Sequence, residues 1–149
     1  MPGPKNKLDD FLNEIEINCD PPIGSRACVQ FCLDCLALIR GKLPPIAEEA
    51  LSFATECLEK PVPVSRVNDM LTKCWQFLDE NHRDIPIDDA RVSVIRAAMV
   101  PVYCLKHPTT NDVVDHLSFF LKLLNNVEPH FEDEEVLLRQ HFANCLTKR

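Results

Sequence analysis

Between its prolines, almost the whole chain repeats apolar residues at the three- and four-residue spacing of a helix face. Leu8, Phe11, Leu12, Ile15 and Cys19 form one stripe, and Ala47, Ala50, Leu51, Ala54 and Leu58 another. Val67, Leu71, Cys74 and Leu78 continue the pattern, as do Val113, Leu117, Phe120, Leu121 and Leu124. Period-two alternation bounded by turn residues is missing, so no strand competes. Proline suits the first turn of a helix and breaks its interior, so Pro21-Pro22, Pro44-Pro45, Pro61, Pro63, Pro86, Pro108 and Pro129 partition the chain. The pattern predicts seven helices, over about residues 6–18, 25–41, 45–59, 65–81, 87–106, 110–127 and 132–147. Short connections make neighbours antiparallel.

The segments Ala27–Ile39 and Val92–Leu105 are apolar on most sides, which predicts helices packed on several neighbours. Pro101 falls inside the fifth helix and is expected to kink it or split it in two. Ser65, Asp88 or Asp89, and Thr109 or Thr110 are the expected caps of the fourth, fifth and sixth helices. The expected fold is all-α: one domain over residues 1–149, with residues 1–5 as a flexible tail. Six to seven antiparallel helices would form either a bundle or an αα-hairpin superhelix. A faint likeness between Ser25–Val29 and Ala90–Val94 keeps the superhelix open, although no fixed repeat period is visible.

Composition narrows the function classes. In 149 residues, 16 Lys and Arg stand against 23 Asp and Glu, a formal charge of −7. Such a surface repels nucleic-acid phosphates and anionic lipid and favours a basic partner. Only 3 glycines disfavour glycine-rich phosphate loops. The first ten residues carry no apolar signal core, and the longest apolar run, Ala97–Leu105, is too short for a membrane span. A cytoplasmic protein is therefore expected, with its 8 cysteines as thiols, most of them structural.

Cys28, Cys32 and Cys35 share one helical face and could offer three metal ligands. A core stripe with Phe31 and Ile39 is the simpler account. No H-E-x-x-H or repeated Glu-x-x-His pattern exists, and no local signal singles out one Cys–His pair for nucleophilic chemistry. His82 and His107 are expected at helix ends. Arg91 and Arg96, on an otherwise apolar helix, suggest internal ion pairs or a phosphate or carboxylate site. Trp75 adjoins the Cys74–Leu78 stripe and is expected as a packing anchor. Neither a catalytic residue, a cofactor nor a metal is predicted.

Acidic residues gather in two places, each a solvated face or a docking patch for a basic partner. Asp79, Glu80, Asp84, Asp88 and Asp89 crowd the connection between the fourth and fifth helices. Glu132, Asp133, Glu134 and Glu135 open the last helix, where carboxylates also suit the macrodipole.

The stretch Met70-Leu71-Thr72-Lys73-Cys74-Trp75-Gln76-Phe77-Leu78, followed by an acidic turn and a long apolar helix, resembles small all-helical immunity proteins of bacterial polymorphic-toxin systems. The likeness covers roughly residues 45–125. It implies a cytosolic, non-enzymatic inhibitor that binds and neutralises one cognate protein toxin. The acidic composition suits a toxin with a basic surface, such as a nuclease. The alternative is a helical scaffold or adaptor, and an enzyme or small-ligand regulator using the Arg96 neighbourhood ranks third. A homodimer through an exposed apolar face is also open.

Overall fold

The computed structural model describes residues 10–15, 17, 21–81, 89–106 and 113–143. Seven α-helices and one short 3-10 turn account for most of them, and no strand occurs among the described residues. They are α1 (10–15), α2 (Pro21–Ala37), α3 (Pro45–Glu59), α4 (Val64–Asn81), α5 (Ala90–Lys106), α6 (Val113–Val127) and α7 (Phe131–His141). The all-α expectation holds.

Proline sets several boundaries. The Pro44 carbonyl accepts the first backbone bonds of α3, from Ala47 and Glu48, and Pro45 is its first residue. The Pro63 carbonyl does the same for Arg66 and Val67 of α4. Ser65 therefore lies inside the first turn of α4 and is not its cap. α2 starts four residues earlier than the pattern predicted, because Pro21 and Pro22 form its first turn. Its other end tightens through bonds from Leu38 to Cys35 and from Ile39 to Leu36, then passes into the 3-10 turn Arg40–Lys42. Asp89 caps α5: its carbonyl accepts from Val92 and Ser93, and its Oδ1 accepts the Arg91 backbone N–H at 2.8 Å. The alternative cap Asp88, the predicted caps Thr109 and Thr110, and the helix-end residues His82 and His107 lie outside the described residues.

α5 packs on α2, α3, α4 and α6, while α2 also packs on α6 and α7. These are the two segments whose sequence is apolar on most sides. In a superhelical array each unit would touch only its neighbours along the chain. A central helix ringed by four others makes the fold a bundle. Pro101 does not split α5, which continues helically on both sides of it. An interior proline costs about 3 kcal/mol or more. Burial of Ile95, Ala97, Ala98, Met99, Val100 and Val102 around that turn offsets it.

The core is continuous through all seven helices. Phe31 of α2 stands at its hub, edge-to-face with Phe120 of α6 at 6.1 Å and with Phe142 after α7 at 6.4 Å. α7 ends at His141, shorter than predicted, and the chain turns there so that Phe142 is buried against Phe31. Ser93 of α5 is buried and accepts from Asn126 of α6 at 2.8 Å, which satisfies a polar group between two core helices. No helix among the described residues is long and apolar enough to cross a membrane.

Candidate functional site

Three adjoining helices, α4, α5 and α6, leave aromatic side chains on their outer side. The α4 stripe Val67, Leu71, Cys74 and Leu78 is buried, which places Trp75 at the edge of that stripe with 41% of its surface exposed. On α6, Leu117, Phe120, Leu121 and Leu124 face inward, and Phe119 is 43% exposed. Arg96 of α5 lies between them, its guanidinium carbon 5.8 Å from the Trp75 ring centre and 5.2 Å from that of Phe119. One further heptad along α5, the Tyr103 hydroxyl accepts the Trp75 indole N–H at 2.9 Å.

The chemistry of this surface follows from what each group lacks. The Arg96 guanidinium makes no hydrogen bond or ion pair among the described residues. Two rings attract it through their quadrupoles, on the order of 0.5–1 kcal/mol each at an exposed site, while its donors stay available. A planar, fork-shaped donor held beside two aromatic rings suits a carboxylate or carbonyl acceptor on a partner. Trp75 is thus not the buried packing anchor expected from sequence. Nor does Arg96 form the internal ion pair expected of it. Arg91 does, with Asp89 at 3.1 Å, but on the surface at the start of α5.

The predicted acidic residues separate into different roles. Asp79 and Glu80 are exposed at the end of α4, and Asp79 lies one helical turn beyond Trp75 on the same face. Asp84 and Asp88 lie outside the described residues. Asp89 is engaged as the α5 cap.

At α7, Glu132 and Asp133 are exposed, while Glu135 pairs with Arg139 at 3.3 Å. Glu134 is fully buried and cannot belong to a docking patch. One of its oxygens accepts from Asn125 Nδ2 at 3.1 Å, and the second oxygen and Asn125 Oδ1 have no partner. Burial raises the Glu134 carboxyl above its ordinary value, against the pull of its hydrogen bonds. Its position on the inward side of a short helix explains the miss, since a run of four carboxylates hides which one turns inward.

Five of the six described cysteines are core residues: Cys28, Cys32, Cys35, Cys74 and Cys104 are buried and unbridged, while Cys57 is part-buried. Burial pushes the Cys32 and Cys74 thiols up to about 11. Among the described residues, Cys104 Sγ and His116 Nδ1 lie 3.4 Å apart, a Cys–His contact that the sequence could not single out. The hydrogen bond with Cys28, then burial, raises Cys104 well above an ordinary thiol, and His116 only partly opposes this. That is the reverse of an activated nucleophile. No group of three or more His, Cys, Asp or Glu among the described residues is arranged to hold a metal ion.

His130 lies between Glu128, at 2.7 Å, and Asp133, at 3.5 Å, and His141 reaches Asp34 of α2 at 2.6 Å. Lys42, with His130, holds the Glu128 carboxyl below its usual range. These groups tie α7 and its entry to the rest of the bundle.

Comparison with protein-family models, with curated proteins and with solved structures finds no match to this chain.

Proposed function

We propose that this protein works by binding another protein, without catalysis, through the surface formed by Trp75, Arg96, Tyr103 and Phe119. The exposed Trp75–Arg96–Phe119 arrangement carries the reading. Tryptophan, tyrosine and arginine are the residues most enriched where binding energy concentrates, and exposing two large rings is unfavourable unless a partner covers them. Asp79 and Glu80 add negative charge at the rim, and the net charge of −7 favours a basic partner and speeds encounter. The partner is a folded protein of net positive charge, with an apolar recess for the rings and an oxygen acceptor for Arg96.

Inhibition of a cognate toxin in the cytoplasm, as the Met70–Leu78 resemblance implies, is the specific form of this reading. Of that segment, Thr72, Lys73, Trp75 and Gln76 face outward, while Met70, Leu71, Cys74 and Leu78 are core.

Affinity capture from the native lysate by the wild-type chain, beside a Trp75→Ala/Phe119→Ala double variant, tests the proposal. A basic protein should bind the wild type stoichiometrically and be lost from the double variant while its helical content is unchanged. Equal capture by both would remove this surface from the account. If the captured protein kills cells lacking the present chain, and co-expression rescues them, the partner is a toxin; harmless expression would leave the scaffold reading.

A further inference from the structure

A second set of groups, independent of the proposed binding surface, lies where the two central helices meet. Cys28 of α2 and Cys104 of α5 place their sulfurs 3.2 Å apart, although 76 positions separate them in the chain. Both side chains are buried, and both are thiols. His116 of α6 is half-buried and puts Nδ1 3.4 Å from Cys104 Sγ. We propose that Cys28 and Cys104 are a redox site: a hydroperoxide converts them to an intramolecular disulfide that ties α2 to α5.

The arrangement decides which cysteines pair. Cys32 neighbours Cys28 but lies four residues along the same helix, where Cβ atoms are about 5–6 Å apart. A disulfide needs Cβ atoms roughly 3.5–4.5 Å apart, so linking Cys28 to Cys32 would deform α2. Cys104 approaches from a different helix with its sulfur already in contact. Metal binding is a poorer account of the same cluster, since its side chains do not converge on a common point for an ion.

Two steps balance the reaction. Cys104 passes its proton to His116 Nδ1, and the thiolate attacks one oxygen of the hydroperoxide. The O–O bond breaks, Cys104 becomes a sulfenic acid, and the other oxygen takes a proton and leaves as an alcohol, or as water when the oxidant is hydrogen peroxide. The Cys28 sulfur then attacks the sulfenic sulfur. The S–O bond breaks, the S–S bond forms, and water leaves with the Cys28 proton. The two sulfurs together lose two electrons, which reduce the peroxide. The thiol hydrogen bonds (Cys28 acting on Cys104, Cys32 on Cys28) and then burial keep both thiols protonated and make the first step slow. Proximity makes the second fast, so the disulfide and not a higher oxide accumulates.

The test treats the native full-length protein with hydrogen peroxide, quenches with acid, alkylates in denaturant and maps the peptides by mass spectrometry. The expected product is a peptide pair joined through Cys28 and Cys104, lighter by two hydrogens, reversed by dithiothreitol, and retained in Cys57→Ser. Cys104→Ala should abolish it; should that variant not fold, the wild-type map decides alone. Full alkylation of both Cys28 and Cys104 while the more exposed Cys57 is oxidised would overturn the proposal. So would stoichiometric zinc that shields both thiols from alkylation until a chelator is added.

Discussion

The α4–α5–α6 side and the α7 side of the bundle use polar and aromatic groups in opposite ways. Around α7, charged groups are engaged within the fold: Glu135 with Arg139, His141 with Asp34, His130 with Glu128 and Asp133, and Arg139 over the Phe11 ring at 4.8 Å. On the other side, Arg96 has only the rings of Trp75 and Phe119, and both rings are open to solvent. In the richest run of charge in the sequence, Asp133 and Glu135 pair within α7 and its entry, and Glu134 is buried against Asn125 of α6. The surface with capacity left for a partner carries few charges. Under the proposed reading, charge density along a sequence is a poor guide to the binding surface, because ion pairing within the fold uses it first.

Breaking the α7 side at its hub should have the largest effect. Phe31→Ala removes the ring that holds both Phe120 and Phe142, and about 3–5 kcal/mol of stability should be lost in urea unfolding. On the α4–α6 side, Trp75→Ala should leave stability within about 1 kcal/mol but weaken partner binding by about 2 kcal/mol, roughly 30-fold, in calorimetry. A variant that loses stability and keeps affinity would make Trp75 the packing residue its sequence position suggested.

Glu134 sharpens the contrast through pH. Its carboxyl is raised in the fold, so the folded state holds that proton more tightly than the unfolded chain does. The resulting stability is complete below the ordinary value of 4.5 and is lost as pH rises through the raised folded value. Glu134→Gln supplies a neutral donor at all pH values. It should gain about 1 kcal/mol at neutral pH and flatten this part of the pH–stability curve. An unchanged slope would mean that another group carries it.

Smaller effects are expected at the surface. Asp34→Asn, which removes the partner of His141, should cost less than about 1 kcal/mol because the aspartate is half-exposed. Asp79→Lys with Glu80→Lys should slow association at low salt by about tenfold or less, with no effect at high salt. Equal rates at both ionic strengths would take these two carboxylates out of the encounter.

Much of the fold was legible because helix periodicity and proline positions act locally. The stripes on α3 and α4 and the centrality of α2 and α5 follow from burial on one face or on all. Of the two outcomes expected at Pro101, the split does not occur, because propensity is outweighed where four helices pack on one. The candidate site was less legible. Its signals were an arginine on an apolar helix and an aromatic residue, Phe119, off the α6 stripe. Joining them requires knowing that α4 and α6 both flank α5. The Cys28–Cys104–His116 contact needs three helices placed together, and spacing along the chain carries no trace of it.

The most direct test places a photo-crosslinking amino acid at Phe119 or at Val136 and irradiates each variant with the captured partner. Val136 of α7 is 63% exposed and Phe119 only 43%, so exposure alone favours a product from position 136. The account predicts a covalent partner adduct from position 119 and none from position 136. An adduct from 136 with none from 119 would contradict it and move the binding surface to α7.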